Sequence, residues 1–201
     1  MTQPKIQGSY TFSRQEMVAG FVFSADTTFE FFYSYGAVDR LASGTFSIKG
    51  DILTLQSSKE AGHDFTVKSQ SKGDEGYTVR IEDANKYLLR HIRCSFFIGK
   101  ERYDEVTNEK GEIKVAFEHV DKIYVQHLLF PDIVTLVKDE QNPNKKFVLT
   151  LNPSLAQVSF KGIDFTIVDS NAIRCIPNYF MMVDDILFTK QEEETDFAER
   201  N

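Results

Sequence analysis

The chain has 201 residues, of which 41% are hydrophobic and 26% charged, a composition typical of a folded chain with one large domain or two small ones. It contains 18 Phe and 8 Tyr but no Trp, and this bias favours β-sheet, because Phe and Tyr pack well on half-buried pleated surfaces. The formal net charge of −7 argues against nucleic acid as the main partner, since a phosphate polymer would be repelled.

The N-terminal residues 1–8 contain no apolar run and no cleavage-site pattern, so they do not predict a signal peptide. No stretch approaches the roughly 18 apolar residues that a membrane-spanning helix needs. The expected compartment is therefore the cytoplasm, with export left open if a leader once preceded this sequence.

The first clear element is an alternating segment at positions 28–35, which predicts a strand. One face carries Phe29, Phe31, Tyr33 and Tyr35, and the other carries Thr28, Glu30 and Ser34. Phe32 lies on the polar face and breaks the alternation there.

Shorter alternating runs follow this strand, with turn residues between them. They predict strands at 43–48, 51–56, 65–68, 77–81, 113–117, 122–128, 133–137, 147–151, 157–160 and 164–168. Many short strands separated by turns indicate an all-β fold, an antiparallel barrel or sandwich with a second, smaller β-sandwich segment.

Two segments resemble known β families. An aromatic strand runs into Tyr35-Gly36-Ala37-Val38-Asp39 and is followed by Gly44 and Phe46; over residues 8–67 the chain resembles uncharacterised bacterial lipocalin-like β domains. The run 107–115, followed by 123–125 and Pro131-Asp132, resembles the prealbumin-type sandwich of carboxypeptidase regulatory-like domains. Neither resemblance implies a reaction, and members of the first family often carry an export signal.

Polar breaks at 69–76 and 152–154 divide the chain. They predict a lipocalin-like antiparallel domain at 1–72, a prealbumin-like sandwich at 73–153 and further strands at 154–190. The last segment is too short to bury a core alone, so we expect it to pack on the first domain and leave the middle as an insertion. Two consecutive domains are the alternative. The acidic segment 191–201 predicts a disordered tail.

The segment after the aromatic strand predicts a structural turn built from Gly36, Asp39, Arg40 and Gly44. Gly36 permits a positive φ, and the Asp39 carboxylate can accept bonds from nearby backbone N–H groups. The functional alternative is that Asp39 and Arg40 line the mouth of a barrel and contact a ligand.

Motifs for nucleotide binding or serine hydrolysis do not occur in the sequence. Ser69 and Lys72 match S-x-x-K only within a polar linker, and the loop before Gly111 does not fit calcium binding. The nearest approach to a metal site is His119, Asp121 and His127, whose spacing does not predict zinc. Asp184 and Asp185 are adjacent and predict a loop. We therefore expect no catalytic residues, no metal and no cofactor.

Two further features concern burial and charge. Cys94 and Cys175 are far apart in the sequence and predict two buried thiols.

The densest basic stretch indicates an exposed sheet face, with an anion-contact site as the alternative. It comprises Lys86, Arg90, His91, Arg93, Lys100 and Arg102.

Three functions remain open from the sequence. The first is a non-catalytic protein-binding module, an inhibitor or immunity-type protein with one protein partner, perhaps a basic one. The second is an apolar-ligand carrier, whose barrel would be lined by Phe29, Phe31, Tyr33, Phe46 and Leu55. The third is an enzyme assembled from distant residues such as His119, His127 and Asp184. The absence of catalytic motifs favours the first.

Overall fold

The computed structural model describes residues 5–73, 75–178, 181 and 183–192. The strands are β1 (Gly8–Arg14), β2 (Met17–Phe23), β3 (Thr28–Tyr35), β4 (Val38–Lys49), β5 (Ile52–Ser57), β6 (Phe65–Ser71), β7 (Tyr77–Glu82), β8 (Ile92–Ile98), β9 (Glu101–Val106), β10 (Glu112–Val115), β11 (Lys122–His127), β12 (Thr135–Lys138), β13 (Lys146–Leu151), β14 (Asp164–Asp169), β15 (Ala172–Cys175) and β16 (Ile186–Lys190). Two short 3₁₀ helices are Lys86–Leu89 and Pro153–Ala156. The all-β prediction is confirmed.

The chain forms two compact units. The first contains Met1–Ser58 and Gly162–Asn201, and the second contains Lys59–Lys161. The second unit is thus inserted between β5 and β14. The predicted acidic tail lies outside the described residues, apart from Gln191 and Glu192.

The first unit is a closed eight-stranded barrel with the order β1-β16-β15-β14-β5-β4-β3-β2. Every neighbouring pair in it is antiparallel. Strands β1 to β5 form consecutive hairpins, and β14 to β16 complete the circle. Because side chains alternate along each strand, one set points into the barrel and the other points outward.

Packed aromatic rings fill the barrel interior around Phe21. The Phe21 ring centroid lies 4.7 Å from that of Phe31, 5.3 Å from that of Phe165 and 5.0 Å from that of Phe188. Of the side chains predicted to line a ligand cavity, Phe29, Phe31, Tyr33 and Leu55 are buried, and Phe46 contacts Phe23 with a centroid separation of 5.1 Å. This region of the interior is a packed core.

The second unit contains two four-stranded sheets, with the orders β10-β7-β13-β6 and β12-β11-β8-β9. One buried cluster joins them, with Val79, Phe147 and Leu149 from the first sheet and Cys94 and Ile123 from the second. Two sheets sharing one core form a β-sandwich. All its strand pairs are antiparallel except β7 with β13, which is parallel.

The strand predicted at 157–160 is wrong: this segment is irregular, with an isolated bridge at Gln157. The physical reason is that the backbone N–H of Ser159 donates to the Asp132 side chain at 3.1 Å and not to a neighbouring strand. No helix within the described part of the chain is long and apolar enough to cross a membrane.

Candidate functional site

An apolar cluster lies on the outer wall of the barrel where β1, β2, β3 and β4 pair with one another. Phe32 on β3 is paired with Gly20 on β2 and with Leu41 on β4. Val18 and Val22 lie two positions before and after Gly20, so they point to the same side. We call the outward side chains of β1, β2 and β3, and of residues 38–45 of β4 that pair with β3, the β1–β4 face.

The four apolar side chains of this face are well exposed. The exposed fractions are 40% for Val18, 42% for Val22, 40% for Phe32 and 59% for Leu41. Together they expose on the order of 300 Å² of apolar surface, which is the size of the largest patch on a typical monomer and is often functional.

The charged groups on the β1–β4 face have one sign. Besides the four apolar residues and Gly20, the outward positions are Ser9, Thr11, Ser13, Thr28, Glu30, Ser34, Asp39, Ser43 and Thr45. Among these described positions there is no Lys or Arg, and the charges are the carboxylates of Glu30 and Asp39. Lys49 lies further along β4, where that strand pairs with β5. The face is therefore an apolar centre bordered by hydroxyl groups and two negative charges.

Gly20 fixes the position of the Phe32 ring. A Cβ atom placed on Gly20 would overlap with the Phe32 ring, so the ring lies directly over the glycine backbone. An aromatic ring that covers a glycine on a neighbouring strand stabilises the sheet and is held in one orientation. Phe32 thus combines a structural role with a preorganised exposed surface.

The predicted turn residues do not share one environment. Gly36 has φ of +58° in the two-residue turn between β3 and β4. Asp39 and Arg40 lie on β4 and point to opposite sides, since Asp39 is exposed and Arg40 is 1% exposed. Gly44 lies further along β4, where an added Cβ would overlap with the Gln56 backbone carbonyl. The two charged residues therefore do not form a common ligand contact.

Arg40 points into the barrel beside Tyr33, its partner across the β3–β4 pair. Burial raises the pKa of the Tyr33 hydroxyl, with a further increase from Tyr35 and an opposing effect from the Arg40 charge. Burial also raises the pKa of Tyr10, whose hydroxyl donates to the Ser170 carbonyl at 2.6 Å. Both phenols are protonated parts of the barrel core at neutral pH.

Comparison of the chain with protein-family models, with curated proteins and with solved structures gave no match. Function is therefore inferred from the surfaces of this chain alone.

The two histidines named in the sequence analysis, His119 and His127, have different environments. His119 Nε2 is 2.7 Å from Asp121 Oδ1 on the surface. His127 is fully buried, with Nε2 3.1 Å from the Leu88 carbonyl and Nδ1 accepting from the Leu129 N–H at 3.2 Å. Both ring nitrogens of His127 thus have structural partners. The described residues contain no group of three or more His, Cys, Asp or Glu able to hold a metal ion.

The adjacent acids Asp184 and Asp185 lie in the loop before β16. Asp185 has φ of +56° and its carboxylate is 2.9 Å from Arg174, while the Asp184 carbonyl accepts from Arg14 at 2.7 Å. These contacts hold the loop against neighbouring strands.

A buried ionic cluster in the second unit was not found by sequence reasoning. Lys59 Nζ lies 2.6 Å from Asp64 Oδ1, 2.7 Å from Asp132 Oδ2 and 2.8 Å from the Gln157 carbonyl. The Lys59 and Asp132 side chains are 2% and 1% exposed. Asp132 also accepts from the Ser159 hydroxyl, so both partners have several hydrogen bonds.

This cluster joins the two ends of the inserted unit. Lys59 and Asp64 lie at its start, Gln157 and Ser159 lie at its end, and Asp132 lies between β11 and β12. The three acceptors around Lys59 match its three N–H donors. We interpret the cluster as a structural connection, because every group in it is engaged with another part of the same unit.

Proposed function

We propose that the chain is a non-catalytic protein-binding module, an inhibitor or immunity-type protein, and that it binds its partner through the β1–β4 face. The observation that carries the proposal is the outward apolar cluster of Phe32, Leu41 and the two valines. An exposed apolar patch with a polar border is often a protein interaction site.

The charge of the face indicates the chemistry of the partner. Glu30 and Asp39 border the apolar cluster, so a complementary surface has an apolar centre and Lys or Arg at its edge. A second copy of this chain would present the same two carboxylates and no Lys or Arg to pair with them on this face. The proposed partner is therefore a different, basic protein, whose approach the net charge of −7 accelerates.

The proposal also covers the fold type of each of the two units. The barrel has the strand number of lipocalins and the inserted unit has two packed sheets, so we propose a lipocalin-like barrel with an inserted prealbumin-like sandwich. The rings packed around Phe21 favour a function on the barrel surface over storage of an apolar ligand inside it.

The test uses the tagged full chain to recover its partner from the native host. A single basic protein recovered in stoichiometric yield supports the proposal if Val22→Thr with Leu41→Thr abolishes its recovery. With the purified partner, Glu30→Gln and Asp39→Asn should slow association and reduce its dependence on salt, because they remove the acidic border.

Val168→Thr provides a matched control, since Val168 is 52% exposed on β14, outside the β1–β4 face. The control should bind as the unmodified chain does. Equal recovery of the partner by the Val22/Leu41 variant and by the control would overturn the proposal. So would a preparation from the native host in which the tagged chain carries a bound small molecule and no partner protein.

A further inference from the structure

A groove with a volume of about 460 Å³ lies on the second unit, on the outer face of the sheet β12-β11-β8-β9. Volumes of this order are typical of small-molecule sites. Its lining is Ser95, Phe97, Gly99, Arg102, Asp121, Lys122, Tyr124, Val134 and Glu140. Four of these come from the neighbouring strands β8 and β11, so the groove is built on a sheet and not on loops alone.

Two aromatic rings form the apolar part of the groove. Phe97 on β8 and Tyr124 on β11 have ring centroids 5.6 Å apart and ring planes at 80°. Both side chains are half-buried, so part of each ring contacts the protein and part faces the groove. A ligand in this groove meets an aromatic surface.

The two basic side chains of the groove, Arg102 and Lys122, are paired with carboxylates of the protein. The Arg102 guanidinium binds Asp104 in a bidentate manner, with distances of 2.8 and 2.7 Å. Lys122 lies 3.2 Å from Glu140. These pairs balance each other and leave the Asp121 carboxylate as the further charge of the lining, so the groove disfavours an anionic ligand.

Asp121 is held in place at the edge of the groove. Its Oδ2 accepts from the Gly99 N–H at 2.6 Å and its Oδ1 lies 2.7 Å from His119 Nε2. The bond from Gly99, with His119 second, holds the pKa of the Asp121 carboxyl below its usual value. The carboxylate is thus fixed and still has lone pairs for further donors.

We propose that this groove binds a neutral saccharide. Neighbouring hydroxyl groups each donate and accept, and they match planar carboxylate and guanidinium groups such as Asp121 and Arg102. The C–H face of a sugar ring packs on an aromatic surface such as Tyr124. The combination of an aromatic surface with fixed planar polar groups fits a neutral polyhydroxylated ligand better than an anion or an apolar ligand.

The test is a binding screen of the full chain against neutral oligosaccharides: cello-, xylo-, manno-, malto- and chito-oligosaccharides, measured by calorimetry and by ligand-observed NMR. At least one probe should bind, and Tyr124→Ala should weaken it about tenfold, as expected for loss of one aromatic contact. Tyr124→Phe should retain binding, and Arg102→Met should weaken it while leaving the fold intact.

Tyr87→Ala is the matched control, because Tyr87 is 80% exposed in the same unit and does not line the groove. It should leave the affinity unchanged. Failure of all neutral probes, preference for acidic over neutral sugars, or an equal loss in the Tyr87 control would each overturn the proposal. These outcomes are independent of the β1–β4 face, since none of its residues is altered.

Discussion

Replacement of Asp132 by Ala tests the ionic cluster that joins the ends of the inserted unit. Asp132 accepts from Lys59 Nζ at 2.7 Å, from the Ser159 N–H at 3.1 Å, from the Ser159 hydroxyl and from the Ile133 N–H at 2.8 Å. The variant removes all four acceptor contacts at a site where the Asp132 side chain is 1% exposed. Lys59 keeps Asp64 and the Gln157 carbonyl as partners.

The expected cost is large because one member of a buried ion pair is removed. Such changes reduce the free energy of unfolding by about 3–5 kcal/mol, and the orphaned Ser159 donors place this case within that range. With a urea m-value of about 2 kcal/mol/M, the unfolding midpoint falls by about 2 M. Asp132→Asn keeps the shape but only one acceptor oxygen, so its effect should be smaller.

The two cysteines provide a separate measurement for each unit. Cys94 lies in the core of the second unit and Cys175 lies on β15 of the barrel. Alkylation at increasing urea, followed by peptide mass analysis, gives the unfolding midpoint at each thiol. The Asp132 variant should lower the midpoint measured at Cys94.

Glu60→Ala is the control for the Asp132 variant, since the Glu60 side chain is 77% exposed beside the cluster, and it should change stability by less than about 0.5 kcal/mol. A loss of under about 1 kcal/mol in Asp132→Ala, as small as for an exposed salt bridge, would refute the reasoning, because it would show that Asp64 and the Gln157 carbonyl satisfy Lys59 without Asp132.

Three further predictions concern the barrel and the thiols. Gly44→Ala should destabilise the barrel by about 3 kcal/mol, because its Cβ would overlap with a backbone carbonyl, whereas the exposed Ser43→Ala should be neutral in the same urea titration. In native protein at pH 8 both thiols should resist alkylation, since burial raises the pKa of Cys94 and raises that of Cys175 to about 11; rapid labelling of either would contradict the packing. The raised pKa of Tyr33 favours the protonated native state, so this stabilisation is complete below the unfolded pKa near 10 and is lost as pH rises through the folded value. Tyr33→Phe should flatten that alkaline decline in thermal unfolding curves.

Most of the strands could be predicted from alternation, and two of the exceptions, β2 and β9, have a clear physical cause. β2 was not predicted because its outward positions, Val18, Gly20 and Val22, are as apolar as its inward ones, so no period of two is visible. β9 has every residue exposed and no apolar face, and it forms as an edge strand paired with β8 after the turn at Gly99. Alternation of apolar and polar residues does not reveal a strand whose two faces have similar polarity.

The candidate site was partly visible in the sequence. Phe32 was recognised as a break in the polar face of its strand, but Leu41 becomes its neighbour only through the β3–β4 register. The Lys59–Asp132 contact joins residues 73 positions apart, and no spacing rule connects them. The groove residues likewise come from separate strands, so Tyr124 and Phe97 meet only in the folded sheet.

The exposed residues of the β1–β4 face need separate explanations if they serve structure alone. Covering Gly20 explains Phe32, and the strand preference of branched side chains explains Val18 and Val22. Neither reason applies to Leu41, which is the most exposed of the four at 59% and has no glycine opposite it, since its partner is Phe32. A binding surface explains all four positions together, and Leu41 is therefore the residue at which the structural and functional interpretations differ most.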